Sequence, residues 1–161
     1  MNQLHGIKKI VSGGQTGVDR AALDLAIELS IEHGGWCPKG RIAEDGPIAP
    51  RYALTEMASK DYAKRTEQNV IDSDGTLIIY RQRLQGGTLL TQKLAKLHQK
   101  PLFRIRVEAK HEPQRFLEWL QDNQIGVLNI AGPRASSQPE IAEDAKQLLK
   151  RLLLATPRFP Q

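Results

Sequence analysis

The sequence predicts an α/β fold, a Rossmann-like parallel sheet of about five strands flanked by helices. Short β-rich apolar runs alternate with longer helical patterns along the chain, and this alternation is typical of parallel βαβ units. The segment TLIIY at residues 76–80 has the pattern of a strand that a parallel sheet buries on both faces. A third indication is the turn SGGQTG at residues 12–17, which joins a predicted strand to a predicted helix.

Periodicity and turn residues place the elements of the first half. Apolar side chains recur on one face of the first helix, and the stretch PKGRIAEDGPIAP is too rich in glycine and proline for regular structure. The elements predicted here are a strand at 7–12, a helix at 18–29, a short strand at 35–37, a loop at 38–50 and short helices at 52–62 and 65–71.

The second half continues the same alternation up to a tail that contains prolines, TPRFPQ. Its predicted elements are a strand at 76–80, a helix at 88–98 opened by Gly86 and Gly87, a strand at 102–107, a helix at 113–124, a strand at 126–130 and a final helix at about 139–154. No internal repeat or linker interrupts the pattern. We therefore expect one domain over residues 1–161, a length sufficient for a sizeable core.

Composition limits the classes of partner. The formal net charge is +5, and the basic excess lies in residues 81–161, which permits an anionic ligand. The basic residues are scattered and aromatic residues make up 5% of the chain, so no stacking platform for nucleic acid is evident. The one cysteine, Cys37, excludes an internal disulfide and favours a cytoplasmic protein. No signal peptide or membrane-spanning run is expected.

Three polar or glycine-rich turns follow predicted strands. They are SGGQTG at 12–17, QGGT at 85–88 and NIAGPRASS at 129–137. Ligands of open α/β sheets bind at the carboxyl ends of strands, so the three turns are expected to meet at one crevice. Strand, glycine turn and helix together present backbone N–H groups to an anion, and Arg134 could bind an oxyanion with two hydrogen bonds.

A purely structural interpretation of the same residues stays open. Thr16 and Asp19 have the spacing of a capping box, Arg20 could pair with Asp24 on one helical face, and Ser136 or Ser137 could cap the final helix. The first turn is neither a dinucleotide fingerprint nor a P-loop. Lesser candidates are Lys39, Arg65, Asn69, Cys37 and Asp74; of these, Arg65 and Asn69 lie one helical turn apart.

The blocks SGGQTGVDRAALD, RTEQNVIDSDGTLIIY, QGGT with Thr91, and NIAGPR resemble the molybdenum-cofactor carrier family. That family is grouped with circularly permuted members of the SLOG superfamily, related to lysine decarboxylase-like proteins. The resemblance implies a cytoplasmic homo-oligomer, a dimer or tetramer, that carries or protects molybdenum cofactor or molybdate and has molybdenum enzymes as recipients. The run LLKRLLLA at 148–155 is apolar over more than one face, which favours an oligomer unless the tail covers it through Phe159.

The predicted site contains residues that would bind the phosphate and oxo-molybdenum ends of such a ligand or the edge of its pterin. They are Ser12, Gly13, Gly14, Gln15, Thr16, Gly17, Asp19, Arg20, Asp74, Gly86, Gly87, Thr88, Asn129, Gly132, Arg134 and Ser136. The sequence suggests no catalytic residue and no metal-ligand cluster.

The alternative function is an enzyme or sensor that acts on a nucleotide-derived ligand. Enzymes related to the family cleave nucleoside monophosphates, and they carry acidic residues directly after a GGxGT turn. No carboxylate occurs between Thr88 and Val107 here, so the sequence favours binding over hydrolysis.

Overall fold

A computed structural model describes residues 4–158, apart from residue 111. Its central sheet has five parallel strands in the order β2-β1-β9-β7-β8. The strands of this sheet are β1 Lys9–Val11, β2 Glu32–Gly34, β7 Gly75–Tyr80, β8 Leu102–Arg106 and β9 Val127–Ala131. The helices are α1 Val18–Glu28, α2 Tyr62–Asp72, α3 Gly86–Leu97, α4 Pro113–Asp122 and α5 Ile141–Leu153, with a short 3-10 turn at Leu4–Gly6. The predicted fold class, a Rossmann-like α/β sheet flanked by helices, is confirmed.

Both faces of the sheet are covered by helices. Helices α1, α4 and α5 form the larger core with side chains such as Leu77 and Ile79 of β7. Ile78 is also buried but lies outside that cluster, as expected from the alternation of side chains along a strand. Helices α2 and α3 pack against each other and against β9 and β7. None of the helices in the described part of the chain is long and apolar enough to cross a membrane.

The strand order brings the three polar turns together. The chain runs from β1 outward to β2 and from β7 outward to β8, and β9 lies between β1 and β7. Turns that follow β1, β7 and β9 therefore leave the same edge of three neighbouring strands. This is the position at which open α/β sheets leave a crevice for ligands.

The predicted helix at 52–62 is wrong. This stretch contains strand β6, Thr55–Glu56, which pairs with β3, Trp36–Cys37. Tyr52 is 2% exposed, and its hydroxyl donates a hydrogen bond to Asp24 at 2.5 Å. Long-range pairing and burial of the tyrosine override the local helical pattern.

Other boundaries also differ from the prediction. The helix expected at 65–71 begins earlier, at Tyr62, because the side chain of Asp61 caps it by accepting the N–H of Ala63 at 2.9 Å. The loop predicted at 38–50 contains a small hairpin of β4, Ile42–Ala43, and β5, Gly46–Pro47. Strand β2 at the sheet edge is not among the predicted elements, since it has only three residues, EHG, with no apolar pattern.

Candidate functional site

A cleft of about 380 Å³ opens at the carboxyl edge of β1, β9 and β7. Its volume falls within the range of small-molecule sites, about 300–1,000 Å³. All three predicted turns contribute to its wall, together with α2. The predicted residues that line it are Gly13, Gln15, Asp19, Gly86, Gly87, Thr88, Asn129, Gly132 and Arg134.

Six other predicted residues lie near the cleft without lining it. Ser12 is buried and donates to the carbonyl of Asp19 at 2.9 Å. A Cβ at Gly14 would lie 2.4 Å from Leu54 Cδ1, so this glycine admits the leucine. The remaining four, Thr16, Gly17, Arg20 and Ser136, belong to the contacts that join the first turn to neighbouring loops.

Asp74 is not part of this cleft. It lies at the opposite edge of the sheet, where its Oδ2 accepts the backbone N–H groups of Gly126 at 2.9 Å and Val127 at 2.7 Å. Its carboxylate therefore stabilises the start of β9. Asp74 therefore does not lie with the other predicted site residues, because a residue that precedes a parallel strand lies at the amino edge of the sheet.

The lining side chains carry more positive than negative charge. The charged residues that line the cleft are three arginines, Arg65, Arg83 and Arg134, and one carboxylate, Asp19. Asp19 and Arg65 are 6% and 8% exposed, and Arg65 Nη1 donates to Asp19 Oδ2 at 3.1 Å. Burial raises the pKa of Asp19, although Arg65 and the N–H of Gln15 oppose the shift. The cleft therefore suits an anionic ligand.

Two buried donors in the cleft lack an acceptor. They are Nε2 of Gln15 and Nε of Arg65, and neither has a hydrogen-bond partner among the residues that the structure describes. Buried polar groups in folded proteins almost always find a partner in the protein, in water or in a ligand. A buried water or a bound molecule would supply the acceptors that these two atoms lack.

Helix α3 directs its amino terminus at the cleft. Its cap residue, Gln85, makes no side-chain capping hydrogen bond, and Gly86 adopts φ +56°. A Cβ at Gly87 would meet no atom within 4 Å. This helix end therefore offers backbone N–H groups and a positive dipole to open space.

Glu44 joins the first turn to the third. Its carboxylate accepts hydrogen bonds from Thr16 Oγ1 and from the backbone N–H of Ser136, the latter at 3.1 Å. Arg134 Nη1 lies 4.0 Å from the same carboxylate. Burial favours a higher pKa for Glu44, but the hydrogen bonds from Ser136 and Thr16 outweigh it and hold the pKa below its ordinary value.

Three predicted structural contacts are wrong. Arg20 does not form its ion pair with Asp24; it binds Asp45 at 2.8 Å and also the carbonyl of Gly14. Helix α1 is capped by Gly17 with no side-chain hydrogen bond, so Thr16 and Asp19 do not form the expected capping box. Helix α5 begins after Glu140, again without a side-chain cap, so neither Ser136 nor Ser137 caps it.

The lesser candidates divide between the cleft and the scaffold. Arg65 and Asn69 both line the cleft, but the Asn69 amide is already bonded to the backbone N–H and carbonyl of Trp36. Cys37 is buried, and burial raises the pKa of its thiol. The backbone N–H of Lys39 donates to the carbonyl of Ser59 at 2.9 Å, in the loops beside β3.

Sequence reasoning missed Glu44 and Arg83. Glu44 stands in the turn between β4 and β5, and its partners Thr16 and Ser136 are 28 and 92 residues away along the chain. No local pattern distinguishes such a residue from any other charged loop residue. Arg83 lies two residues before the QGGT turn, and that proximity is the one signal that could have found it.

The donors of the cleft are guanidinium, amide and backbone N–H groups. Groups of this kind bind the oxygen atoms of anions. The described residues contain no group of three or more His, Cys, Asp or Glu side chains that could hold a metal ion.

Comparison with known proteins identifies the family. The model of the circularly permutated YpsA SLOG family matches residues 10–153. The chain belongs to this family. No curated protein matches the chain.

A solved structure agrees with the family assignment. The crystal structure of "Putative molybdenum carrier protein" from Syntrophus aciditrophicus SB is similar to this member of the SLOG family, with a TM-score of 0.88 and 49% sequence identity. The match covers 93% of this chain and 96% of that one. The family resemblance that the sequence motifs indicate is therefore confirmed.

Proposed function

We propose that this SLOG-family protein binds and carries molybdenum cofactor, or a related phosphorylated ligand or molybdate, in the cleft at the carboxyl edge of the sheet. The observation that carries the proposal is the surplus of donors there. Three arginines and the amino end of α3 line the cleft, and Asp19, the carboxylate among the lining residues, is already paired with Arg65. The name of the similar structure, a molybdenum carrier, suggests which anion the cleft receives.

The chemistry of the cofactor suits this lining. It is a pterin that bears one phosphate and a dithiolene-bound oxo-molybdenum, so both ends present oxygens that accept hydrogen bonds. Guanidinium groups and helix amino termini bind such oxygens well. Asn129, which is 3% exposed and lines the cleft, donates from Nδ2 to Thr76 Oγ1 at 3.2 Å, so its amide oxygen is the atom it offers to the pterin edge.

The proposal extends to the protein's surroundings. We propose a cytoplasmic homo-oligomer, a dimer or tetramer, that delivers its ligand to molybdenum enzymes. The basic excess of the chain is compatible with an anionic cargo.

Protein purified from its own host tests the function. Native mass spectrometry is expected to show a bound mass, metal analysis to show molybdenum, and fluorescence after oxidation to show a pterin. Incubation with nucleoside monophosphates serves as the second arm, with free base as the readout. Protein that lacks both molybdenum and pterin but releases free base rapidly would replace the carrier proposal with the phosphoribohydrolase alternative.

A further inference from the structure

The amide of Gln15 has a fixed orientation. Its Oε1 accepts the backbone N–H groups of Thr16 at 3.1 Å and Glu44 at 2.8 Å. Since only the oxygen of an amide side chain can accept these bonds, Nε2 is the end left without a partner. Gln15 is 5% exposed, so the unpaired N–H groups are withdrawn from bulk water.

Arg65 is also held in place without the use of its Nε. Its Nη1 donates to Asp19 Oδ2 at 3.1 Å. Its guanidinium fills the space beside Gly13, where a Cβ would lie 1.6 Å from Nη1. The glycine therefore admits the arginine, and Nε remains a buried donor with no acceptor in the described part of the chain.

The two donors belong to residues that share one carboxylate oxygen, Gln15 through its backbone N–H and Arg65 through its side chain. Asp19 Oδ2 accepts the backbone N–H of Gln15 at 3.3 Å as well as the bond from Arg65. Both residues line the same cleft. Arg65 already compensates the charge of Asp19. Gln15 Nε2 and Arg65 Nε still lack an acceptor among the described residues, so a molecule from outside the protein would have to supply it.

We propose that Gln15 Nε2 and Arg65 Nε form a subsite that binds a tetrahedral oxyanion, the chemistry shared by molybdate and phosphate. This inference rests on the proposed function and specifies the part of the cleft that holds an anionic end of the ligand. Two N–H donors, one of them on a guanidinium, match an oxygen-rich anion that only accepts hydrogen bonds. We call these two residues the Gln15–Arg65 subsite.

Substitutions at both residues test the subsite with little change in shape. Gln15→Glu keeps an oxygen for the N–H groups of Thr16 and Glu44 but removes the donor and adds a negative charge, so the uncharged Gln15→Met, which also removes the donor, is measured beside it. Arg65→Lys keeps the positive charge beside Asp19 but removes Nε. Calorimetric titration with sodium molybdate and with sodium phosphate is expected to show an affinity lowered about tenfold or more in each variant.

Matched controls are available on α4, away from the cleft. Gln121→Glu and Arg115→Lys make the same chemical changes at exposed positions, and their affinities should equal that of the wild type. Urea unfolding of every variant identifies any that is not folded. If both Gln15 variants unfold, Arg65→Lys alone decides the question.

The two anions distinguish the source of the oxyanion. Tighter binding of molybdate assigns the subsite to the molybdenum end, and equal or tighter binding of phosphate assigns it to the phosphate end. Unchanged affinity in folded Gln15→Glu and Arg65→Lys would overturn the subsite and leave the carrier function standing. Wild-type protein that carries cofactor but binds neither bare anion would also overturn the subsite alone, whereas absence of both cofactor and anion binding would remove the proposed function too.

Discussion

Arg134 lies on the outer wall of the cleft, with 39% of its side chain exposed. Its guanidinium is 5.5 Å from the ring centroid of Tyr62 and 4.0 Å from Glu44. None of these contacts holds the core together. The side chain can therefore serve a ligand at low cost to folding.

We expect Arg134→Ala to weaken ligand binding without unfolding the protein. Loss of a charge-assisted hydrogen bond removes about 1.5–3 kcal/mol, which corresponds to roughly tenfold or more in affinity. Titration with phosphate at fixed ionic strength measures the effect, and Arg115→Ala on α4 is the control. Equal affinity in Arg134→Ala and wild type would show that Arg134 is only a surface residue.

Glu44 provides a prediction about pH. Its folded-state pKa lies below the ordinary value of 4.5, so its ionised form stabilises the fold above that pH, and the contribution is lost as pH falls through the lowered pKa. Glu44→Gln should therefore be less stable than wild type at pH 7, by about 1 kcal/mol. The difference should shrink in acid. Urea unfolding at pH 7 and below about pH 4 measures it, and a difference that grows in acid would contradict the assignment.

The glycine that follows β9 and the glycine in the first turn of α3 differ in the space around them. A Cβ at Gly132, just after β9, would lie 2.2 Å from the carbonyl oxygen of Ile79 and 2.5 Å from Val18 Cγ2. Gly87, in the first turn of α3, faces open space. Close packing of β9 against β7 and α1 thus requires one glycine, whereas the fold does not require the other.

The matched pair Gly132→Ala and Gly87→Ala tests this difference. Overpacking should destabilise Gly132→Ala by about 1–3 kcal/mol or more, while Gly87→Ala should keep or slightly raise stability because alanine favours helix. Thermal or urea unfolding of both variants is the measurement. Equal losses in the two variants would mean that the close approach at Gly132 does not constrain the fold.

At the scale of the whole molecule, the burial of α5 removes one of the two grounds for the predicted oligomer, the exposure of its leucine run. Its residues Leu148, Leu149, Leu152 and Leu153 are all at most 4% exposed within one chain, while Leu154 is exposed. Helix α5 packs against α1 and α4, so little of the leucine run is left for a neighbour. The tail contact expected through Phe159 lies outside the described residues.

We still expect a homo-oligomer, as the family resemblance implies. Sedimentation velocity at micromolar concentration measures the assembly state. A dimer or tetramer is the expected result, in which surfaces other than the leucine run form the contact. A single species near 18.0 kDa would exclude the oligomer.

The glycine turns of the site could be predicted from sequence, but the contacts of their side chains could not. Each turn is a local feature in which a strand, small residues and a helix follow one another. By contrast, Arg65 meets Asp19 across 46 residues and Arg20 meets Asp45 across 25. No local pattern specifies which of several charged residues will become partners at such separations.

Local sequence patterns are sufficient to specify the fold class, four of the five strands of the central sheet, its five helices and the three polar turns, because hydrophobic period and turn chemistry act over a few residues. Three other features depend on the folded chain. Residues 52–62 contain a strand rather than a helix, Asp74 lies at the opposite edge, and Gln15 and Arg65 retain unpaired donors. These outcomes follow from burial and from partners distant in the sequence, which become neighbours only when the sheet has formed.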